Sequence, residues 1–397
     1  MKKNKQNDKT NILSTNIQTR KVNKLLFLIF ILFFAAVGSA LLLLTHAATP
    51  TASIEPENGT LATNAITGTD SNASGGGYVQ FKAPVSGGGS GGGFHISGTN
   101  IIDPSGKNFV PVGANVGTLG QFDWVGDALG QSASAQQWGW NTIRLTLYVT
   151  DPFAAAGTAT SRGQQIIDEY TAKGIVVILG DWSCSASPTT ASGCATQLAW
   201  MKNMASANKS NSAVWYNCYN EPASADDAGW VALQEACVDT IRSAGNNSIV
   251  VADAPGPAAD ASWVGGSRVY ASNMGPTVLA HDSVHNVLFS QHNYAGYCDS
   301  GSEGTYLDTM HGAGLAVIIG EYGYTYNGTS TAGDYATNYA CALANFAAAP
   351  SRGVGLLAWH GTHGDYYALR TGSPQGAPFY STSALTDFGT HVWALTH

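Results

Sequence analysis

Residues 161–181, SRGQQIIDEYTAKGIVVILGD, hold one complete unit of the fold. Ile166, Ile167 and Tyr170 recur at the spacing of one helical face, and Gly174 supplies the residue type that most easily ends a helix. The segment therefore predicts a helix over 161–174 that stops at Gly174. IVVILGD (175–181) follows as an unbroken aliphatic run closing on an acid. A strand that is apolar at every position is covered on both faces, the condition of a parallel sheet with crossover helices.

The same unit repeats in both directions along the chain. The other runs are FVPVGAN (109–115), NTIRLTL (141–147), AVWYNCYNE (213–221), SIVVAD (248–253), NVLFSQHNY (286–294), LAVIIGE (315–321) and GVGLLAW (353–359). Eight such strands alternating with helical stretches in about 300 residues fit a closed (β/α)8 TIM barrel. A doubly wound open sheet is the alternative, but no Gly-rich phosphate loop follows the first run. FHISGTNIIDPSGKNFV (94–110) reads as a hairpin turning at Asp103-Pro104-Ser105-Gly106, placed to cap the barrel floor.

The N-terminal quarter is of another kind. Residues 1–24 carry seven basic side chains against one acid, Asp8, and no apolar periodicity, which predicts a cytoplasmic tail. Residues 25–44 are all apolar, Gly or Ser. At ~1.5 Å per residue such a helix spans a bilayer core of roughly 30 Å, and the basic flank puts the N-terminus inside. The run is longer than a signal-peptide core, so a single-pass anchor is the expectation; cleavage near Thr45-His46-Ala47 is the alternative and gives a secreted protein. Either way the rest of the chain lies outside the membrane. Residues 45–93 form a spacer ending in SGGGSGGG (86–93), a flexible linker. Within it IEPENGT (54–60) and ASGGGYVQF (73–81) resemble strands of a truncated β-sandwich carbohydrate-binding module. The barrel domain then occupies 94–397.

Taking the tail's +6 from the overall −8 leaves −14 on the exported part, which excludes nucleic acid as a partner and suits a neutral polymer. All six cysteines lie there, an even number suited to an oxidising compartment. Cys184 and Cys194 share one Ser/Thr/Gly/Pro-rich stretch and are the pair expected to bond. No cysteine pair has C-x-x-C spacing, so a zinc site is not expected.

Active sites of such barrels sit at the C-terminal ends of the strands. Those ends carry Asn115, Arg144, Asp181, Asn220 with Glu221, Asp253, His292 with Tyr294, Glu321 and Trp359. Amides and carboxylates match sugar hydroxyls, and aromatic rings match the apolar faces of pyranoses: Trp359 first, then Trp182, Trp124 and Tyr148. Glu221 and Glu321 are the two glutamates among these ends. In a strand as apolar as NTIRLTL, Arg144 needs a carboxylate, and Glu321 is the natural one. With Arg144 and Tyr294 beside it Glu321 should ionise readily, whereas Glu221 should keep its proton. Asp253 lies in Asp-Ala-Pro-Gly, which turn chemistry explains equally well. Trp138, Trp140, Trp200 and Trp230 belong to helical segments and read as packing residues. His360, His363 and Asp365 follow the eighth strand, where sugar contact is at least as good a reading as metal ligation. No metal and no cofactor are expected.

Tyr219-Asn220-Glu221-Pro222 and VIIGEYGY (317–324), with Arg144 in NTIRL, His292 and Tyr294 in QHNY and Trp359 in LLAWHG, resemble the motifs of glycoside hydrolase family 5. This is the cellulase and β-mannanase family of retaining barrel glycosidases, and the likeness runs from about Phe94 to the C-terminus. The resemblance implies an endo-acting hydrolase of a β-1,4-linked polysaccharide, working as a monomer. Glu221 becomes the acid/base and Glu321 the nucleophile. Asn220 binds the sugar 2-hydroxyl, Arg144 and Tyr294 keep the nucleophile charged, His292 orients the catalytic groups, and Trp359 floors the subsite at the bond cleaved. Asn115 and Trp182 complete the supporting set. One motif departs: the family's third strand commonly ends Asp-Trp-His, and here it reads Asp181-Trp182-Ser183. A transglycosylase remodelling the cell's own surface glycan and a non-catalytic glycan-binding surface protein are the rival readings.

Overall fold

The computed structural model describes residues 65–69, 77–81, 92–118, 127–149, 157–184, 189–223, 226–255, 270–294, 303–324, 332–360, 369 and 384–397. The chain falls into two compact units, 1–82 and 83–397. In the first, β1 (Ala65–Thr69) pairs antiparallel with β2 (Gly77–Phe81), Ala65 facing Phe81 and Thr69 facing Gly77. The YVQF end of ASGGGYVQF is thus a strand. The basic tail and the expected membrane span at 25–44 lie outside the described residues, as does most of the Gly/Ser linker. Among the described residues no helix is long and apolar enough to cross a membrane.

The second unit opens with a small antiparallel sheet, β3 (His95–Ser97), β4 (Asn100–Ile102) and β5 (Asn108–Phe109). Its turn forms as the sequence predicts. Asp103 Oδ1 accepts from the backbone of Ser105 and Lys107, and Gly106, at φ 84°, donates to the Asp103 carbonyl.

Eight parallel strands follow: β6 (Val112–Gly117), β7 (Thr142–Leu147), β8 (Val176–Asp181), β9 (Val214–Asn217), β10 (Val250–Asp253), β11 (Val287–Asn293), β12 (Val317–Tyr322) and β13 (Gly355–Ala358). Each pairs with the next in sequence, and β13 closes onto β6 with Leu356 opposite Val112. That closure excludes the open doubly wound sheet. Helices α1 (Ser132–Gln137), α2 (Thr158–Thr171), α3 (Ala195–Ala207), α4 (Asp227–Ser243), α5 (Tyr270–His281), α6 (Glu303–Gly312) and α7 (Ala332–Ala348) alternate with the strands, and α8 (Asp387–Trp393) ends the chain.

Helix α2 buries Ile166, Ile167 and Tyr170, and Gly174 takes the left-handed conformation at φ 74°. Because successive side chains of a strand point to opposite faces, each strand feeds two cores. Val177 and Leu179 join the layer between strands and helices, where Trp138, Trp140, Trp200 and Trp230 are also packed. Val176, Ile178, Trp215, Val251, Leu288, Ile318 and Leu357 form a separate cluster inside the barrel, closed below by Ile96 and Ile101 of the opening sheet. That sheet caps the floor, as its sequence suggests. Two residues further up, the inward positions turn polar: Asn217 above Trp215, Asp253 above Val251, then Ser290 and His292 above Leu288.

Candidate active site

Arg144 organises the top of the barrel. It is fully buried, and Nη1 donates to Glu321 Oε1 at 2.7 Å and to Asn115 Oδ1 at 3.0 Å. Nη2 reaches Asn217 Oδ1 at 2.7 Å, Asn220 Oδ1 at 2.7 Å and Asp253 Oδ2 at 3.1 Å, while Nε shares Asn217 Oδ1 at 3.2 Å. All five N–H groups of the fork therefore have acceptors, the condition for leaving a guanidinium in a dry core. Asn115 donates in turn to the carbonyls of Gly320 and Ala358, at 2.9 and 3.2 Å, so it supports the barrel rim from inside.

Glu321 is buried between this fork and Tyr294, whose hydroxyl donates to Oε2 at 3.0 Å. Glu221 lies across from it with its side chain 30% exposed, and Oε1 is 2.9 Å from His292 Nδ1. His292 Nδ1 is also 3.5 Å from Glu321 Oε1. One carboxylate oxygen from each glutamate and one imidazole nitrogen thus lie within 4.8 Å of one another.

Local backbone sets this convergence. The pairing of β11 with β12 slips one residue: Gln291 faces Ile319 but His292 faces Glu321. Gly320 is the residue skipped, and a Cβ there would overlap Ser290 Oγ and press on His292 Nε2 at 3.3 Å. On the other side, Glu221 sits at φ 46°, a left-handed conformation that costs a residue with a Cβ about 1–3 kcal/mol.

The charges order themselves differently from the sequence expectation. Burial pushes Glu321 up more than the His292 and Arg144 charges pull it down, so its pKa is raised. Glu221 is also pushed up by burial, but the hydrogen bond and charge of His292, with Arg144, overcome that and leave it lowered. His292 is raised against its own burial by Glu321, Asp253 and Glu221. The sequence names the partners of Glu321 correctly but cannot weigh their pull against complete burial. Glu221, His292 and Glu321, each shifted by the others' charges, titrate as a group.

The three converging ligand atoms invite a cation, yet Glu321 Oε1 is already bonded to Arg144 Nη1, whose charge would face the ion. His360 is buried with its ring beside that of Trp359; His363, Asp365 and Trp124 lie outside the described residues.

Around the carboxylates Trp359 packs with Trp182, Tyr148 and Tyr294. The indoles of Trp182 and Trp359 stack at 5.2 Å between centroids and 14° between planes, and Trp182 lies 5.9 Å from the Arg144 guanidinium. Ser183 donates its backbone N–H to Asp181 Oδ1 at 2.8 Å, so the departing third-strand motif folds its acid back onto its own loop.

Every site residue expected from sequence within the described residues comes to this rim. Sequence reasoning missed Asn217, which it had no reason to prefer over other strand amides, and left Asp253 open between a rim contact and turn chemistry. It also left the pairing of the other four cysteines open. Cys184–Cys194 forms as expected, and a second bond joins Cys218, three residues before Glu221, to Cys237 in α4.

The sequence profile described as Cellulase (glycosyl hydrolase family 5) matches residues 102–364. A mannan endo-1,4-beta-mannosidase of Streptomyces lividans is 27% identical over 277 residues, covering 68% of this chain and 66% of the relative. Endoglucanase E-5 of Thermobifida fusca is 24% identical over 240 residues, covering 59% of this chain and 49% of the relative. The chain thus spans less than two thirds of the length of these relatives. In fold it is similar to the catalytic domain of a mannanase from Streptomyces sp. SirexAA-E, with a TM-score of 0.61, 24% identity, and 77% and 90% of the two chains covered. With the profile spanning most of the barrel and including both glutamates, the chain belongs to glycosyl hydrolase family 5, the cellulase family.

Proposed function

We propose that the chain is an endo-acting, retaining hydrolase of β-1,4-linked polysaccharide, with Glu321 as nucleophile and Glu221 as acid/base. The observation that carries this reading is the approach of the two glutamates, oxygen to oxygen within 4.8 Å. Retaining glycosidases hold their carboxyl groups about 5–5.5 Å apart, while inverting ones leave about 6.5–9.5 Å for a water.

In the first step a Glu321 oxygen bonds to the anomeric carbon as the bond to the leaving oxygen breaks, and Glu221 gives that oxygen its proton. Water then attacks the same carbon, Glu221 takes the water's proton, and the bond to Glu321 breaks. Two inversions return the β configuration. Arg144 and Tyr294 hold the Glu321 oxygens in place, at 2.7 and 3.0 Å. Glu221 is lowered while its side chain meets solvent, so the transferable proton resides in the Glu221–His292 pair, joined at 2.9 Å. A bound sugar covers the exposed side of Glu221, raises it by desolvation and draws the proton onto it.

Trp359 and Trp182 offer aromatic faces to pyranose rings, and Asn220, fixed by Arg144, faces the 2-hydroxyl. Mannan is the first backbone to test, because relatives matched in both sequence and fold carry that name. The even cysteine count, the disulfides Cys184–Cys194 and Cys218–Cys237 and residues 25–44 support a catalytic unit held outside a membrane. Galactomannan, glucomannan and carboxymethylcellulose assayed for new reducing ends test the class, and early product analysis by proton NMR tests the stereochemistry. An initial α anomer, or no release from any β-1,4 polymer, would sink the reading.

A further inference from the structure

Asp253 is a third carboxylate in the same cluster, fully buried, and the steps above leave it without a task. Its Oδ2 makes all of its contacts. It accepts from Arg144 Nη2 at 3.1 Å and from the backbone N–H of Glu221 at 3.3 Å, and lies 3.5 Å from His292 Nε2. The second contact falls on the residue whose backbone is left-handed at φ 46°. A hydrogen bond to a charged acceptor on that very peptide holds it where a residue with a Cβ would otherwise relax.

The third contact bears on His292. Its ring stands between Glu221 Oε1 on Nδ1 and Asp253 Oδ2 on the Nε2 side. Glu321 Oε1 adds a further negative charge at 3.5 Å, and among the described residues Arg144 is the opposing cation in contact with these acids. Among the described residues His292 Nε2 makes no hydrogen bond, so Asp253 acts on the ring through its charge at 3.5 Å, and carboxylate charge on both sides of an imidazole stabilises the protonated form. The raised pKa of His292, with Glu321 and Asp253 as the largest causes opposing its burial, agrees with the geometry.

We propose that Asp253 is a positioning residue that keeps His292 an imidazolium and fixes the backbone of Glu221, so that the proton for the leaving oxygen is in place before substrate binds. This rests on the reading of Glu221 as acid/base. A purely structural Asp253 would only neutralise Arg144.

The test is Asp253→Asn, which keeps the size and an acceptor for the Glu221 N–H but removes the charge facing Nε2. The basic limb of kcat/KM against pH reports loss of the acid's proton. It should move down by about one pH unit, the low end of what a contacting charge contributes. A fall in kcat/KM by the same factor at every pH, with the limb unmoved, would overturn the proposal. The second measurement does not depend on the Asp253 variant: nitrogen-15 NMR of the histidine rings in the unaltered protein, with His292 assigned by the signal lost in His292→Gln. Both ring nitrogens protonated at pH 7 is the expected result; a neutral His292 there overturns it. If the unaltered protein releases no sugar at any pH, the acid/base reading fails, and the NMR result still decides the state of His292.

Discussion

Asn217 Oδ1 accepts from two nitrogens of Arg144 at once, Nε at 3.2 Å and Nη2 at 2.7 Å, and this fixes the plane of the guanidinium so that Nη1 meets Glu321 at 2.7 Å. Asn217 is itself held by the carbonyls of Tyr219 and Val251, to which its Nδ2 donates at 3.3 and 3.1 Å. Glu321 is thus aimed from across the barrel, by Arg144 of β7 and Asn217 of β9, rather than by its own loop.

Asn217→Ala should therefore act at a distance. Without the shared acceptor the fork can tilt, and a displacement of ~1 Å at a reacting group costs about 100-fold in rate. The expected result is a fall in kcat of that order with KM changed little. Arg144→Lys should cost at least as much, because an ammonium has three donors and cannot reproduce the fork. Arg144→Ala should also lower stability by about 3–5 kcal/mol, since it leaves Glu321 and Asp253 buried without their counter-ion. Steady-state kinetics and chemical unfolding check the three variants.

Gly320→Ala tests the bulge. The added Cβ would collide with Ser290 Oγ and touch the His292 ring. Of the neighbours, the Ser290 hydroxyl is the easier to remove. The single variant should lose activity with a small loss of stability, and Ser290→Ala in the same chain should restore part of it. No recovery in the double variant would mean that the pairing slip, rather than the crowding, positions His292.

Two buried acids outside the cluster set a pH dependence of stability. Burial raises Glu303 to about 7 against the hydrogen bond of Asn293 and the charge of Arg352. It likewise raises Asp181 to about 6 against its hydrogen bonds to Ser183 and Val149. An acid whose pKa is higher folded than unfolded binds its proton more tightly in the native state. Its contribution is complete below the unfolded value, near 4, and is lost as pH climbs through the folded value. The loss falls between about pH 4.5 and 7 for Glu303 and is on the order of 3 kcal/mol at ~1.4 kcal/mol per unit. Glu303→Gln should match the parent's thermal midpoint near pH 5 and exceed it at pH 8. Equal midpoints at pH 8 would show that Glu303 is not held protonated.

The barrel was legible because its strands are buried on both faces: runs such as NTIRLTL and IVVILGD call for a parallel sheet covered on both sides, and eight of them suit a closed barrel better than an open sheet. Glu221, Glu321, His292 and Tyr294 were legible for the same reason, as charged or aromatic side chains where an apolar strand stops, and Arg144 as a charge inside one. Asn217 was hidden because a strand amide that binds an arginine looks like one that binds sugar. Asp253 stayed undecided because Asp-Ala-Pro-Gly satisfies turn chemistry on its own. The order of ionisation depends on how completely each carboxylate is buried, which no motif encodes: Glu321 is enclosed, and Glu221 opens to solvent on one side.

Spacing alone also could not place the Cys218–Cys237 bond. The two cysteines are 19 residues apart, and what joins them is that α4 packs back against the barrel and buries Cys237 with its Cα 5.8 Å from that of Cys218, the residue after β9. Closing a loop of that length stabilises a fold by about 3 kcal/mol in the chain-entropy account. Cys218→Ser with Cys237→Ser should lower stability by roughly that amount. It should also reduce activity more than the loss of Cys184–Cys194 does, because Cys218 is three residues from the strained backbone of Glu221. The readout is the activity of the folded fraction at a temperature well below both unfolding midpoints. If the two disulfide variants retain the same activity there, the Cys218–Cys237 bond serves the fold alone and has no part in holding Glu221.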